Sequence, residues 1–291
     1  MRRAALIAIP YAWLLALFLI PFAVVFKMSL SDTAVSIPPY TPQLTDGFWA
    51  MVRAFDFENY VWLTEDELYW RAYVSSLQIA VFSTLFTLAI GYPMAYAMSR
   101  ASSAWRPTLL MLVILPFWTS FLIRVYAWIG ILSGSGFLNQ FLMWLGVISE
   151  PLKILNTNTA VYIGIVYTYL PFMILPIYSA LDRLDGSLIE AAEDLGCSRL
   201  KAFWLITMPL SKNGIIAGCF LVFIPTMGEF VIPDLLGGSD TLMIGKVLYE
   251  EFQSNRDWPV ASAVAVILLI ILVIPLVLFQ RNQQRQTEAG A

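Results

Sequence analysis

The chain has 291 residues, 59% of them hydrophobic and 13% charged, with a formal net charge of −3. At a mean hydropathy of +0.74, too few polar residues remain to cover a soluble domain, so the composition describes an integral membrane protein. The absence of histidine removes the usual general base and the commonest metal ligand, and only two cysteines are present, so catalytic and metal-centred functions are disfavoured from the start.

Six apolar segments follow in chain order, at roughly Leu6 to Met28, Ser75 to Met98, Thr108 to Leu132, Ala160 to Leu181, Asn213 to Ile232 and Trp258 to Gln280. Each is about 20 to 25 residues, enough for a helix rising 1.5 Å per residue to cross about 30 Å of hydrocarbon. The expected fold class is therefore all-α integral membrane with six transmembrane helices, and residues 1–291 form one domain. The first segment is too long for a secretory signal and lacks a small-residue cleavage site, so it reads as a span. Residues 29–74 form an outer loop: Pro38, Pro39 and Pro42 predict irregular chain, and Trp49, Tyr60, Trp62, Tyr69 and Trp70 predict a helix lying at the interface. Residues 281–291 are a short polar tail.

Basic residues near span ends set the orientation. With both termini in the cytoplasm, Arg2, Arg3, Arg100, Arg106, Arg183, Arg199, Lys201, Lys212, Arg281 and Arg285 lie inside, against Arg53, Arg71, Lys153, Lys246 and Arg256 outside. The outer segments carry acid, including Asp32, Asp46, Asp56, Glu58, Asp234 and Asp257, a balance that favours a cationic substrate or a basic partner surface.

The loop at 182–211 then faces the cytoplasm. Ser187 followed three residues later by Glu190 reads as a capping box, and Glu190, Glu193 and Asp194 complement the positive end of a helix dipole. Leu188, Ala191, Ala192 and Leu195 share one face of about two turns, Gly196 supplies a left-handed stop, and a second helix runs from Ser198 towards Pro209. A small-residue face of this kind suits docking into a cleft. The order Glu190-Ala191-Ala192, Gly196, then Ile206-Thr207-Met208-Pro209 resembles the cytoplasmic loop of ABC importer permeases, with only Met208 departing from the usual leucine. That resemblance implies that Glu190, Ala191, Ala192, Gly196, Ile206 and Pro209 form a coupling helix and its flank that dock on an ATPase. The chain itself has no phosphate-binding loop: the spacing of Gly238 to Lys246 is wrong and Val247 follows. No cofactor is expected here, and ATP belongs to a partner subunit.

Ionisable residues inside spans are costly and mark pathways or pairs. Arg124 lies in the third span and Glu229 late in the fifth, where Pro225, Gly228 and Pro233 predict a broken helix. Glu229 either meets a cationic substrate or pairs with Arg124 to brace two helices. Phe117, Phe121, Arg124 and Trp128 share a face at helical spacing, with Trp118 and Tyr126 displaced from it. Aromatic rings beside a carboxylate make a path for ammonium groups. Tyr167 and Tyr169, next to Pro171, are further candidates, as is Asp234.

The runs Leu115-Pro116-Phe117-Trp118-Thr119-Ser120-Phe121-Leu122-Ile123-Arg124-Val125-Tyr126-Ala127-Trp128, Gly228-Glu229-Phe230-Val231-Ile232-Pro233 and Asn255-Arg256-Asp257-Trp258-Pro259-Val260-Ala261-Ser262-Ala263 are similar to those of polyamine importer permeases, the putrescine branch above all. The resemblance spans nearly the whole chain. It implies the MetI-like fold of type I ABC importers, a bacterial inner-membrane location, a second homologous permease, two ATPase subunits and a periplasmic binding protein that delivers a small cationic polyamine. Lipid surrounds such a subunit, and nucleic acid has no part. Another solute, such as ferric iron, thiamine or an oxyanion, is the alternative within ABC permeases. A secondary transporter would not need the docking loop.

Overall fold

The computed structural model describes residues 2–289, which are helical with one small hairpin. They divide into two compact units, one from Met1–Ala72 with Val247–Ala291 and one from Tyr73–Lys246.

In the first unit, helix α1 (Arg2–Ser29) packs along α15 (Trp258–Ala289). A two-residue-per-strand hairpin follows, β1 (Asp32–Thr33) against β2 (Tyr40–Thr41), antiparallel with Asp32 opposite Thr41. It is held from two sides. Thr33 Oγ1 donates to Asp257 at 2.7 Å, and Lys27, at the end of α1, donates to the Pro42 carbonyl with its ammonium 4.2 Å from the Tyr40 ring centre. Helix α2 (Phe48–Arg53) and helix α3 (Glu58–Glu65) complete the outer segment. Asn59 on α3 donates to the carbonyls of both Ser29 and Ser31.

Helix α4 runs Glu67–Arg100, so the outer loop is shorter than the sequence implies. The Asp66 carboxylate accepts the Leu68 N–H at 2.8 Å and starts the helix about two turns before the apolar run begins. Tyr69 and Trp70 thus belong to the long helix, not to a separate interfacial one.

The second unit holds α5 (Arg106–Ile114), α6 (Phe121–Leu132), α7 (Phe137–Trp144) and α8 (Asn158–Asp182). It continues with α9 (Ser187–Asp194), α10 (Arg199–Ala202), α11 (Met208–Leu210), α12 (Lys212–Met227) and α13 (Val231–Leu236); α14 (Ile244–Glu250) begins there. Its core gathers Ile79, Val125, Leu132, Val161, Ile165, Ile232, Leu236 and Met243. Helices α8 and α12 lie against each other through glycine. A Cβ on Gly214 would come within 2.7 Å of Ala180 Cβ and of the Pro176 carbonyl oxygen, and one on Gly218 within 2.7 Å of Met173 Sδ.

Four described helical stretches are long and apolar enough to cross a membrane: Ile7–Ser29, Glu67–Arg100, Phe121–Trp144 and Asn158–Asp182. A bent pair, Arg199–Leu210 with Lys212–Met227, makes a fifth if taken as one span. The expected third span is two pieces. A 3₁₀ turn at Leu115–Trp118 leads into an extended Thr119 with ψ 151°, because Pro116 lacks an N–H and interrupts the helical ladder. Hydropathy averages across that break. Helix α15 runs Trp258–Ala289 and so contains the whole of the sixth segment drawn from sequence.

Candidate functional site

The site begins at the break between α12 and α13. Pro225 stays within α12, and Pro233 sits in the first turn of α13, where its missing N–H is not needed. The interruption falls instead at Gly228, Glu229 and Phe230. Gly245 lies beneath it, so close that a Cβ there would meet the Gly228 and Glu229 carbonyl oxygens at 2.5 and 2.6 Å.

Glu229 is 8% exposed and its carboxylate is fully engaged. Oε1 accepts the N–H groups of Val231 at 3.0 Å and Ile232 at 3.3 Å, capping the start of α13. Oε2 accepts the Tyr169 hydroxyl at 2.5 Å from α8. Neither of the two roles read from sequence is what the structure shows first: Glu229 is a helix cap, and it does not pair with Arg124. The Arg124 guanidinium lies over the Phe117 ring, 5.0 Å from its centre, and its Nε is buried without a hydrogen-bond partner.

Glu229 and Arg124 nevertheless line one cavity of about 450 Å³, together with Phe117, Phe121, Thr168, Tyr169, Phe172, Pro225, Gly228, Phe230 and Val231. One carboxylate, one guanidinium and a wall of aromatic rings form a chamber suited to an organic cation, whose methylenes need apolar surface and whose ammonium needs an acceptor.

Of the residues anticipated, the structure brings Glu229, Tyr169 and Arg124 together with Phe117 and Phe121. Trp118 and Tyr126 do not join them, being 70% and 58% exposed. Trp128 packs edge-on against Tyr167, 5.3 Å between ring centres, and Tyr167 lines a separate apolar groove of about 470 Å³. Asp234 pairs with Lys246 at 3.4 Å. Trp128 shares α6 with Phe121 and Arg124 but lies one turn beyond Arg124, where its ring meets Tyr167 rather than the cavity. Phe172 and Phe230 were missed, although Phe172 lies one turn from Tyr169 on α8 and Phe230 adjoins Glu229.

The loop at 182–211 folds much as its spacing implies. Helix α9 starts at Ser187. The capping box does not form, because the Asp185 carboxylate takes the Ser187 N–H at 3.0 Å, and that bond holds the Asp185 pKa below the ordinary carboxylate value. Gly196 has φ +80°; its N–H bonds the Glu193 carbonyl and the Cys197 N–H bonds that of Ala192, closing the helix in a left-handed turn. Glu190, Ala191, Gly196 and Pro209 are exposed, while Ala192 and Ile206 are half-buried. Beyond the turn, α10 passes through a π-helical turn at Phe203–Thr207, which contains Ile206. Phe203 packs edge-on against Tyr92 and Tyr96 of α4. Leu195, Leu200, Trp204 and Leu205 remain exposed on the loop, an apolar surface in want of cover.

A family model described as "binding-protein-dependent transport system inner membrane component" matches residues 4–288. The chain belongs to this family. The spermidine/putrescine transport system permease protein PotB of Escherichia coli (strain K12) is 46% identical over 227 residues, covering 78% of this chain and 82% of that protein. PotB of Haemophilus influenzae is 42% identical over 275 residues, covering 94% and 92%. Among solved structures, the bacterial alginate ABC transporter in complex with alginate pentasaccharide-bound periplasmic protein matches with a TM-score of 0.71 at 19% identity, over 98% of this chain and 96% of the other. The fold is therefore the MetI-like fold of ABC permeases, and this is an inner-membrane transport permease.

Proposed function

We propose that this chain is one permease subunit of an ATP-driven importer of polyamines, putrescine or spermidine, and that the Glu229 cavity lies on the substrate path. The observation that carries this reading is the chamber itself: a carboxylate at a broken helix, an adjoining tyrosine hydroxyl and a wall of phenylalanines. The similar PotB permeases are described as spermidine/putrescine transport proteins, which supports the same substrate class. A substrate ammonium can replace the Tyr169 hydroxyl at Oε2 while Oε1 keeps α13 capped, so binding and release need not unravel the helix.

Energy in this reading comes from separate ATPase subunits held by Glu190, Ala191, Ala192, Gly196, Ile206 and Pro209 and the exposed leucines beside them. The exposed apolar face of that loop supports the assignment. A second permease completes the path. A periplasmic binding protein loads it, in the way that the alginate transporter is found in complex with its own substrate-bound periplasmic protein. Both termini and the docking loop are cytoplasmic in this arrangement.

The test is uptake of labelled putrescine and spermidine into vesicles carrying the whole importer. Glu229→Gln keeps an oxygen to cap α13 and removes the charge, so uptake at limiting amine should fall about tenfold or more, with the complex still assembled. Normal amine uptake by that variant, or transport of sulfate in preference to either amine, would remove polyamines as the substrate.

A further inference from the structure

Arg124 is hard to explain as scaffolding. Arg124 is half-buried, and charges inside spans are kept where they face a cavity or a partner. Arg124 makes no ion pair among the described residues, and its Nε is orphaned. Glu229, the carboxylate on the same wall, is taken up by a hydroxyl and two backbone N–H groups. The two charges of the cavity therefore stand apart rather than cancelling as a contact pair. They are also the only charged side chains among its described lining residues.

We propose that Arg124 is a charge-selecting residue: standing apart from Glu229 in the same cavity, it keeps the chamber neutral overall and repels any second positive charge held close to the first. This rests on reading the cavity as the amine path. With Arg124 in place, one ammonium settles on Glu229, the methylene chain lies along Phe117, Phe121 and Phe172, and further ammonium groups must sit away from the guanidinium. A diamine satisfies this more easily than a triamine. Stacking on Phe117 fixes the guanidinium at one place on the wall, so the repulsion has a defined origin. The same device, an arginine raising an electrostatic barrier to cations, serves selectivity in other membrane pores.

The test uses the assembled complex of permeases and ATPases in nanodiscs, without the binding protein, so that amine contact is not filtered upstream. Affinities for 1,4-diaminobutane and for spermidine are measured by ligand-observed saturation-transfer NMR at low and high salt. Arg124→Gln should raise the triamine affinity about tenfold relative to the diamine and make binding steeply salt-dependent, because the chamber becomes net negative. Arg124→Lys should keep the wild-type ratio. Arg124→Met reports equally well should the Gln variant fail to assemble. An unchanged ratio in an assembled, ATP-hydrolysing Gln or Met variant overturns the proposal, as does a Lys variant that shifts the ratio as far as Gln. Glu229→Gln separates this from the reading beneath it: loss of binding for both amines keeps the cavity as the amine path whatever Arg124 does, whereas unaltered binding of both defeats that reading and this proposal together.

Discussion

The Tyr169 hydroxyl and Glu229 Oε2 meet at 2.5 Å, tying the middle of α8 to the break between α12 and α13. Since Glu229 also caps α13, a single carboxylate joins the middle of α8 to the start of α13.

Removing the hydroxyl and removing the cap should therefore have separable effects. Tyr169→Phe leaves one buried carboxylate oxygen without its partner, a loss of about 1–3 kcal/mol, and Glu229→Ala also forfeits the cap, about 0.5–2 kcal/mol. Thermal unfolding of the purified permease should rank wild type above Tyr169→Phe, and Glu229→Gln above Glu229→Ala. The Tyr169→Phe and Glu229→Gln pair should be markedly non-additive, since both changes strike one hydrogen bond; simple additivity would mean that the bond does not form.

The α8–α12 seam gives a graded prediction. At Gly214 a new methyl meets backbone at 2.7 Å, the Pro176 carbonyl oxygen, whereas at Gly218 only the Met173 sulfur is that close and the nearest backbone atom lies at 3.2 Å. Gly214→Ala should lower stability by about 1–3 kcal/mol and Gly218→Ala by less. Equal melting temperatures for the two variants would contradict the packing described.

Gly196 tests the docking turn. Its φ of +80° tolerates asparagine better than other side-chain-bearing residues, and nothing lies within 4 Å of the Cβ position in this subunit. Gly196→Asn should assemble and retain part of the substrate-stimulated ATP hydrolysis of the whole importer. Gly196→Asp, placing a charge in the interface with the ATPase, should lose nearly all of it. Full stimulation in the aspartate variant would show that this turn does not face the ATPase.

Asp185 predicts a pH dependence whose sign follows from its bond to Ser187. The folded pKa lies below the ordinary value, so the carboxylate stabilises the start of α9 above the unfolded pKa of about 3.9, and that support is lost as pH falls through the folded pKa. Hydrogen exchange at Ser187, corrected for intrinsic rates, should be faster in Asp185→Ala than in wild type near neutral pH. The difference should vanish in strong acid. A difference that persists there would point to a cause other than the charge.

These residues also show what the sequence could reveal. The turn at Gly196 was legible because a left-handed stop is decided within a few residues, and the α12–α13 interruption was legible from Gly228 and the flanking prolines. The start of α9 was placed correctly for the wrong reason, since Asp185 lies two residues nearer the end of α8 and reaches the first N–H before Ser187 can act as a cap. The partner of Glu229 was not legible: charge complementarity favours Arg124, but Tyr169 is the group that packing brings within reach, 60 positions away in the chain. The break after Trp118 escaped notice because Thr119 and Ser120 barely lower the hydropathy of the window containing them.

Helix α8 is unbroken from Asn158 to Asp182, carries Tyr169 near its middle and ends five residues before α9 begins. Some 20 Å of one helix thus separates the Glu229 cavity from the loop that carries α9. Equilibrium coupling between two sites is reciprocal. If an amine at Glu229 changes how tightly the loop holds its ATPase, the ATPase must change the affinity for the amine by the same factor, so either affinity measured with and without the other ligand reports the strength of the drive.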